Sequence, residues 1–367
     1  MKVLVTGAGG LIGSEAVRFF LNKDCEVYGI DNNSRKNFFG EKGDTSSIIQ
    51  ALSKNSNFKN FSVDITDFPK ILQIYKYFGP FDAIIHAAAQ PSHDWPIVQI
   101  QKGNENGIVQ DFGVNALGTL HVLESSRRFS PNGVFIQLST NKVYGDNPNN
   151  FNFVEEATRW EYPYNSKEYK NGISENMQLD HVSDGGFRTT KSFFGVSKTA
   201  GDQLALEYGR NPAIGLSVGV FRGCCLTGPN HQGVELHGFL NYIVKCAVSK
   251  TPYTIFGYKG KQVRDQIHSA DVMNVFWEFI KSPRKGEAYN LGGGYENSAS
   301  VLETINMLEN DFGLKMNFTV TDKNRTGDHI CYYTDMSKFK SHYPNWKMSK
   351  NLKQIVEEII NSETNKI

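Results

Sequence analysis

The chain has 367 residues, enough for about two domain-sized units, and its 39% hydrophobic and 21% charged residues are typical of a globular protein. Its 39 Lys and Arg nearly balance 38 Asp and Glu, so the net charge of +1 gives no global electrostatic reason to expect nucleic acid or an acidic membrane as partner. No apolar stretch reaches the roughly 18 residues of a membrane-spanning helix, and we expect no signal peptide before the strand-like run at residues 3–5. We therefore expect a cytoplasmic protein whose five cysteines are reduced and bind no metal.

The first half of the chain alternates short β-branched runs with amphipathic segments of helical length, which is typical of a doubly wound parallel sheet. The predicted strands are residues 3–6, 26–30, 58–63, 83–86, 134–139 and 217–222. The helices predicted between them are residues 12–22, 68–78, 110–129 and 195–209.

The pattern changes after residue 223. The loops become longer, and the predicted helices are residues 237–248, 271–280, 301–310 and 351–360. We therefore predict an α/β fold, with a doubly wound Rossmann-type parallel sheet over residues 1–223 and a smaller mixed substrate domain over residues 224–367. The polar segment 147–190 inserted in the first domain is predicted to be either an ordered lid or a mobile loop.

A glycine-rich turn follows the first predicted strand. Gly7, Gly10 and Gly13 have the spacing that lets backbone approach a pyrophosphate at the N-terminus of a helix. Asp31 ends the next predicted strand, where a carboxylate binds both ribose hydroxyls and repels a 2′-phosphate. The sequence therefore predicts NAD as cofactor, while Arg35 close by keeps NADP open.

Further motifs follow along the chain, namely Asp64-Ile65, His86-Ala87-Ala88-Ala89, Asn115, Ser139-Thr140, Lys198, Arg264 and Arg325. In this order they resemble the extended short-chain dehydrogenase/reductase family, the NAD-dependent sugar-nucleotide epimerases and dehydratases. Within it, residues 139–145 and 260–265 are most similar to those of CDP-sugar 2-epimerases. The resemblance covers most of the chain and implies a Rossmann domain that carries NAD and a small domain that binds a nucleoside diphosphate sugar. It also implies a homodimer formed through the helices at residues 110–129 and 195–209.

The resemblance assigns two sets of binding residues. For NAD it implies Gly7, Gly10, Leu11, Ile12, Asp31, Asn32, Asp64, Ile65, Ala87, Ala88, Asn115, Ser139, Lys198 and Arg222. For the substrate it implies Gln90, Thr140, Asn141, Arg264 and Arg325. In these roles Thr140 hydrogen-bonds a sugar hydroxyl, Lys198 binds the nicotinamide ribose and lowers a neighbouring pKa, and the arginines pair with the pyrophosphate.

One expected catalytic residue is absent. The family's general base is the tyrosine of a Tyr-x-x-x-Lys motif, whereas Phe194 stands four residues before Lys198 in this chain. Three explanations remain open: a different base, binding of NAD without turnover, or a Tyr-to-Phe change introduced to trap a ligand. His93, with Asp94 beside it, is the best substitute base because it follows a central strand and its intrinsic pKa is suitable. Tyr144, or Lys198 acting through a water, are the other routes.

Two patterns discriminate among reactions. Dehydratases of the family carry Asp-Glu directly after the Ser/Thr-Thr pair, whereas Asn141-Lys142 supplies no carboxylate here and disfavours water elimination. Residues 228–237 match no zinc motif and are predicted to cover the substrate, while Cys224 and Cys225 are predicted to be packing residues and not nucleophiles.

We predict a sugar-nucleotide epimerase that removes a hydride from the sugar and returns it. The alternatives are a 4-epimerase, an oxidoreductase, or a silent NAD or sugar-nucleotide binding protein.

Overall fold

The structure is a computed structural model that describes residues 1–164, 169–179, 182–183, 186–187, 192–231, 238–324 and 327–365. The chain forms two compact units. Unit 1 comprises Met1–Val143, Phe193–Arg222 and Val272–Tyr289, and unit 2 comprises Tyr144–Ser192, Gly223–Asp271 and Asn290–Ile367. The domain limits predicted at residues 223 and 224 stay a prediction, although each unit draws on several parts of the chain.

A seven-stranded sheet forms the centre of unit 1. Its strands are β1 (Lys2–Thr6), β2 (Glu26–Ile30), β3 (Phe58–Phe61), β4 (Ala83–His86), β5 (Val134–Thr140), β6 (Ser217–Gly223) and β7 (Glu287–Leu291). Their order is β7-β6-β5-β4-β1-β2-β3, and β1 pairs in parallel with both β2 and β4. The chain therefore changes direction across the sheet at β1, which is where ligands bind in doubly wound sheets. The predicted Rossmann-type fold is confirmed, and β7 is a strand that the sequence analysis missed.

Helices cover this sheet. They are Leu11–Leu21, Ser34–Phe39, Ser46–Leu52, Phe68–Phe78, Trp95–Gln101, Gly107–Phe112, Gly118–Phe129, Phe193–Arg210 and Ser269–Lys281. Apolar residues of the strands and helices form the core between them, including Leu4, Ile84, Phe135 and Val218, none of which is exposed to solvent.

The helix predicted at residues 110–129 contains an irregular turn. A π-helical turn at Gly113–Leu117 separates Gly107–Phe112 from Gly118–Phe129. Gly118 permits this arrangement, because a Cβ on that residue would lie 2.6 Å from Cδ1 of the buried Ile65. The turn carries the buried Asn115, so it bears directly on the candidate site.

Unit 2 contains the remaining elements. Its helices are Phe239–Ser249, Val301–Phe312, Ser337–His342 and Leu352–Thr364. Its main sheet consists of Cys225–Thr227, Val263–His268, Ser298–Ser300 and Cys331–Tyr332. Two-stranded pairs join Tyr253–Phe256 to Phe318–Thr321, Val154–Glu155 to Trp160–Glu161, and Val182–Ser183 to Gly186–Phe187. The core of unit 2 includes the fully buried Ile243, Val244, Leu308, Ile355 and Val356. Short 3₁₀ turns in the two units are Gly40–Gly43, Asn141–Tyr144, Asn147–Asn149, Tyr258–Gly260 and Tyr295–Asn297.

The first part of the polar insertion is held firmly within unit 2. The backbone N–H of Trp160 donates to the carbonyl of Lys261 at 2.9 Å, and the Ser300 hydroxyl donates to the carbonyl of Thr158 at 2.6 Å. The Arg159 guanidinium is half-buried and donates to the hydroxyl of Ser298 at 2.8 Å. Of the two alternatives predicted for the insertion, these contacts favour an ordered segment at residues 158–160.

None of the described helices combines the length and the hydropathy of a membrane span.

Candidate active site

The turn after β1 has no room for side chains. Gly7 has a φ of +71°, a left-handed conformation that favours glycine, and a Cβ there would lie 2.8 Å from the backbone nitrogen of Ala88. A Cβ on Gly13 would lie 1.9 Å from the carbonyl oxygen of Gly7. The glycine spacing found in the sequence is therefore a steric requirement of this turn.

The helix Leu11–Leu21 begins directly after Gly10. Among the described residues, no side chain caps its N-terminus and no acidic residue stands in its first turn. The backbone N–H groups of Leu11 and Ile12 belong to the first turn of a helix, where they have no intrahelical acceptor. Together with the positive end of the helix dipole, they form a binding site suited to a phosphate group.

Asp31 follows β2 and lies against the glycine turn. Its Oδ2 accepts from the N–H of Gly9 and its Oδ1 from the N–H of Asn33, both at 2.8 Å. The side chain of Thr45 also packs here, since a Cβ on Gly9 would lie 2.8 Å from it. The carboxylate is therefore fixed, and each oxygen keeps a lone pair for a ribose hydroxyl.

The neighbouring residues Asn32, Asp64 and Ile65 lie on the same side of the sheet. The Asn32 amide donates to Asp64 at 2.9 Å. β3 ends at Phe61, two residues before the end of the strand predicted at residues 58–63, so Asp64 and Ile65 do not follow it directly. Ile65 is buried. The contacts of these three residues with NAD stay a prediction.

A directed chain of hydrogen bonds fixes the loop after β4. Nδ1 of His86 lies 2.7 Å from the hydroxyl of Thr6, and Nε2 lies 3.0 Å from that of Thr119. The Thr119 hydroxyl donates to a main-chain carbonyl, so it accepts from Nε2–H of His86, and the Thr6 hydroxyl then donates to Nδ1. Burial, aided by the charge of Lys198, lowers the pKa of His86 to about 3 and keeps it neutral. The Thr6 hydroxyl also accepts from the N–H of Ala88, so the backbone of Ala87-Ala88 is held in place.

Ser139 and Arg222, both assigned to NAD by the resemblance, converge on a buried carboxylate that the sequence analysis missed. Arg222 donates to Asp202 through Nε at 2.9 Å and through a terminal nitrogen at 2.8 Å, and the Ser139 hydroxyl donates to it at 2.7 Å. Asp202 is fully buried. Its position four residues after Lys198, on the same helical face, was the signal available in the sequence.

Lys198 is buried on the helix Phe193–Arg210, and its Nζ donates to the carbonyl of Leu138 at 2.8 Å. Burial lowers the pKa of Lys198 to about 8, while the carboxylates of Asp202 and Asp111 oppose the decrease. The charged form of Lys198 therefore still prevails at neutral pH, although it is less favoured than in an exposed lysine.

Phe194 and His93 meet in the structure. Their ring centroids are 4.7 Å apart and their planes are inclined by 49°. Phe194 is 6% exposed, whereas His93 is half-buried. The candidate substitute base therefore lies beside the residue that the resemblance aligns with the family tyrosine.

Gln90 and Asn115 are both buried, and the side chain of Asn115 makes two hydrogen bonds with the backbone of Gln90. The Gln90 N–H donates to Oδ1 of Asn115 at 3.0 Å, and the Asn115 amide donates back to the Gln90 carbonyl at 3.1 Å. The Gln90 side-chain amide donates to Asp111. These contacts are internal, so the substrate contact assigned to Gln90 and the nicotinamide contact assigned to Asn115 stay predictions.

Thr140 and Asn141 follow at the carboxyl end of β5. The Thr140 hydroxyl accepts from the N–H of Lys142 at 3.3 Å and is half-buried, while Asn141 is buried.

Tyr144 is unsuited to be the base, because it is fully buried and its hydroxyl donates to Oδ1 of Asn290 at 2.7 Å. Burial also raises the pKa of the Cys224 thiol, which fits its predicted packing role.

Within unit 2, Arg264 is already paired. Its guanidinium donates to the carboxylate of Asp328 and to the carbonyls of Val263 and His329. A pyrophosphate would have to compete with Asp328 for this cation. Arg325, the other arginine assigned to the substrate, lies outside the described residues. Among the described residues, no group of three His, Cys, Asp or Glu side chains is placed to hold a metal ion.

The residues present fit NAD. The turn at Gly7 and the N-terminus of the helix Leu11–Leu21 leave space and N–H groups for a pyrophosphate, as a Cβ at Gly7 would fill the space beside Ala88. The fixed carboxylate of Asp31 suits a ribose diol and repels a 2′-phosphate.

Comparisons with known proteins identify the family of this chain. The sequence matches the NAD dependent epimerase/dehydratase family over residues 3–178 and 166–292. It is 32% identical over 345 residues to CDP-paratose 2-epimerase from Salmonella typhi, an alignment that covers 92% of each chain.

Solved structures show the same fold. A Tyr-to-Phe mutant of UDP-glucuronic acid 4-epimerase from Bacillus cereus, in complex with UDP-4-deoxy-4-fluoro-glucuronic acid and NAD, has 25% identity and a TM-score of 0.73, with 100% of both chains covered. UDP-glucose 4-epimerase from Thermus thermophilus, in complex with NAD, has 22% identity and a TM-score of 0.74 over 100% of both chains. The family match and the identity over nearly the whole chain lead to one conclusion: this chain belongs to the NAD dependent epimerase/dehydratase family.

Proposed function

We propose that the protein is a sugar-nucleotide epimerase, most like a CDP-sugar 2-epimerase, in which His93 takes the place of the family's tyrosine as general base. The observation that carries this proposal is the contact of the His93 ring with Phe194, with centroids 4.7 Å apart. Phe194 keeps the shape of a tyrosine but cannot exchange a proton, whereas an imidazole at this position can.

Each step has a residue to perform it. NAD, held by the glycine turn after β1 and by Asp31, would supply the hydride acceptor and the hydride donor that epimerisation at a carbinol carbon of the sugar requires. His93 takes the hydroxyl proton as the hydride leaves and gives it back on return. The buried ammonium of Lys198 adds positive charge beside the reacting oxygen, and the Thr140 hydroxyl binds the sugar.

Epimerisation is favoured over dehydration by the groups after β5. Asn141 is an amide and Lys142 a cation, so neither supplies the carboxylate pair that water elimination requires.

The sequence identity of 32% with CDP-paratose 2-epimerase supports a CDP-sugar as substrate. A 4-epimerase of UDP-sugars is the alternative, since such enzymes are among the solved structures of the same fold.

We also propose a homodimer, as the resemblance implies. Large apolar side chains are exposed on the two helical segments concerned, with Phe112 at 48%, Leu117 at 44% and Val196 at 47%. Val109, which directly precedes the first segment, is 68% exposed. Such a patch on a water-soluble protein is typical of an interface. Light scattering of the wild type should give the mass of a dimer, and Val109→Lys should reduce it to that of a monomer. A monomeric wild type would contradict the proposal.

The test of the function is a pair of variants. His93→Ala should abolish conversion of the sugar nucleotide while NAD remains bound. His342→Ala is the control, because His342 ends the helix Ser337–His342 and has no role in the proposed chemistry. In the His93→Ala background, Phe194→Tyr should restore turnover, because the phenol would occupy the place beside the missing imidazole. Turnover of His93→Ala near the wild-type rate would refute the role of His93. No conversion by the wild type, with NAD and sugar nucleotide bound, would instead indicate a silent binding protein.

A further inference from the structure

A second buried carboxylate in unit 1 has no part in the mechanism above. Asp111 lies on the helix Gly107–Phe112 and is 1% exposed. Its Oδ2 accepts from the hydroxyl of Ser197 at 2.6 Å, and its Oδ1 accepts from the side-chain amide of Gln90 at 2.6 Å and from that of Asn115 at 3.4 Å. We call these four side chains the Asp111 cluster.

One arm of the Asp111 cluster leads to His93. The amide of Gln90 that donates to Asp111 also donates to the carbonyl of Ser92 at 2.9 Å, and its oxygen accepts from the N–H of Ser92 at 2.5 Å. The Ser92 carbonyl belongs to the peptide bond that joins Ser92 to His93. Gln90 therefore fixes the backbone immediately before the candidate base, and Asp111 fixes Gln90.

The other arm leads to the helix that carries Phe194 and Lys198. Ser197 precedes Lys198 directly and lies three residues after Phe194, so its hydroxyl ties this turn of helix to Asp111. The Asn115 amide donates to the same hydroxyl at 3.0 Å. One carboxylate thus joins the segment that leads to His93 to the helical turn against which the His93 ring packs.

The charges around the cluster are consistent with an ionised Asp111. Arg222 is paired in bidentate fashion with Asp202, and the charge of Lys198 complements Asp111. Burial raises the pKa of Asp111, while its hydrogen bonds with Ser197 and Gln90 and the charge of Lys198 oppose that rise. Charged acceptors form stronger hydrogen bonds than neutral ones, so an ionised Asp111 is an effective anchor for three donors.

We propose that Asp111 is a positioning residue, whose carboxylate holds His93 in place against Phe194 and Lys198. Asp111 thereby controls the rate of the chemical step but does not affect the binding of ligands. The kinetic part of this inference rests on the proposed function. The geometric part does not, because it concerns only the segment at residues 90–93 and the helix Phe193–Arg210.

The test compares Asp111→Asn and Ser197→Ala with the wild type and with Ser125→Ala. Ser125 is an equally buried serine whose hydroxyl donates to the carbonyl of His121, and it lies outside the Asp111 cluster. In Asp111→Asn we expect kcat to fall by about 100-fold, with the dissociation constants of NAD and cytidine diphosphate changed by less than about twofold, because displacing a catalytic group by 1 Å has effects of that order. Ser197→Ala removes one donor of three, so a decrease in kcat of about 10-fold is expected.

A second measurement does not depend on turnover. Amide hydrogen exchange at Gln90 and Ser92, whose N–H groups are hydrogen-bonded in the native structure, should be faster by at least about 10-fold in Asp111→Asn and unchanged in Ser125→Ala. Unchanged exchange at these amides would overturn the inference, as would an unchanged kcat in an active enzyme. Faster exchange in a protein whose wild type converts no sugar nucleotide would support the positioning role and refute the proposed function.

Discussion

Replacing Asp202 by Asn should destabilise the protein far more than replacing a carboxylate whose arginine partners are exposed. Asp202 accepts two hydrogen bonds from Arg222, at 2.8 and 2.9 Å, and one from Ser139 at 2.7 Å, and the side chains of the ion pair are 0% and 5% exposed. Asp202→Asn leaves the Arg222 charge buried without its counter-charge. Breaking a buried pair in this way costs about 3–5 kcal/mol, a large share of the free energy of unfolding of an ordinary domain.

The matched control is Glu124→Gln, which removes a carboxylate that also binds two arginines. Its partners Arg127 and Arg128 are 42% and 44% exposed, so each pair is screened by solvent and should contribute about 1 kcal/mol or less. Urea unfolding followed by circular dichroism gives the free energies of unfolding of both variants. Equal losses for Asp202→Asn and Glu124→Gln would refute the reasoning that burial of the pair determines its importance.

Three further predictions concern pH, the cofactor and the substrate. The pKa of His86 is about 3 in the folded protein, so between pH 7 and pH 5 the unfolded chain takes up a proton at this residue and the folded chain does not. The free energy of unfolding should therefore fall by about 2 kcal/mol over this range. His86→Gln should make the free energy of unfolding in urea less dependent on pH there, and an equally steep dependence would contradict the prediction. Gly13→Ala should weaken NAD binding by at least about 10-fold in calorimetry, because the new Cβ would lie 1.9 Å from the carbonyl oxygen of Gly7 and the turn would have to move. An unchanged affinity for NAD would show that the turn does not hold the cofactor. Arg264→Gln should raise KM for the sugar nucleotide with NAD affinity unchanged, and an unchanged KM would remove this arginine from the substrate site.

The sequence predicted the parts of this fold that depend on local patterns. Strand and helix periodicity identified most of the central sheet, and the glycine spacing identified a turn in which Gly7 and Gly13 cannot carry a Cβ. It missed β7, a short strand that follows a helix far along the chain and joins the sheet beside β6. Its pairing is non-local, and no pattern within five residues can show it.

The ligand-binding residues assigned from the sequence stay predictions, whereas the contacts among them come from the structure alone. The resemblance assigns Ser139, Arg222 and Gln90 to ligand binding, and the structure adds that all three make internal hydrogen bonds to buried carboxylates. Asp202 and Asp111 were missed because an isolated aspartate in a helical pattern is ordinarily a surface residue. The contact of His93 with Phe194 joins segments about a hundred residues apart, so only the fold could show it.

The central claim is that this chain oxidises a sugar nucleotide without the family's tyrosine. The most direct measurement is near-ultraviolet absorbance of the purified protein, supplied with NAD, after mixing with CDP-, GDP- and UDP-sugars. The account predicts a transient rise in reduced nicotinamide with a CDP-sugar, which is absent in His93→Ala and present in His342→Ala. A flat response to every sugar nucleotide, with NAD and sugar nucleotide both bound, would contradict it.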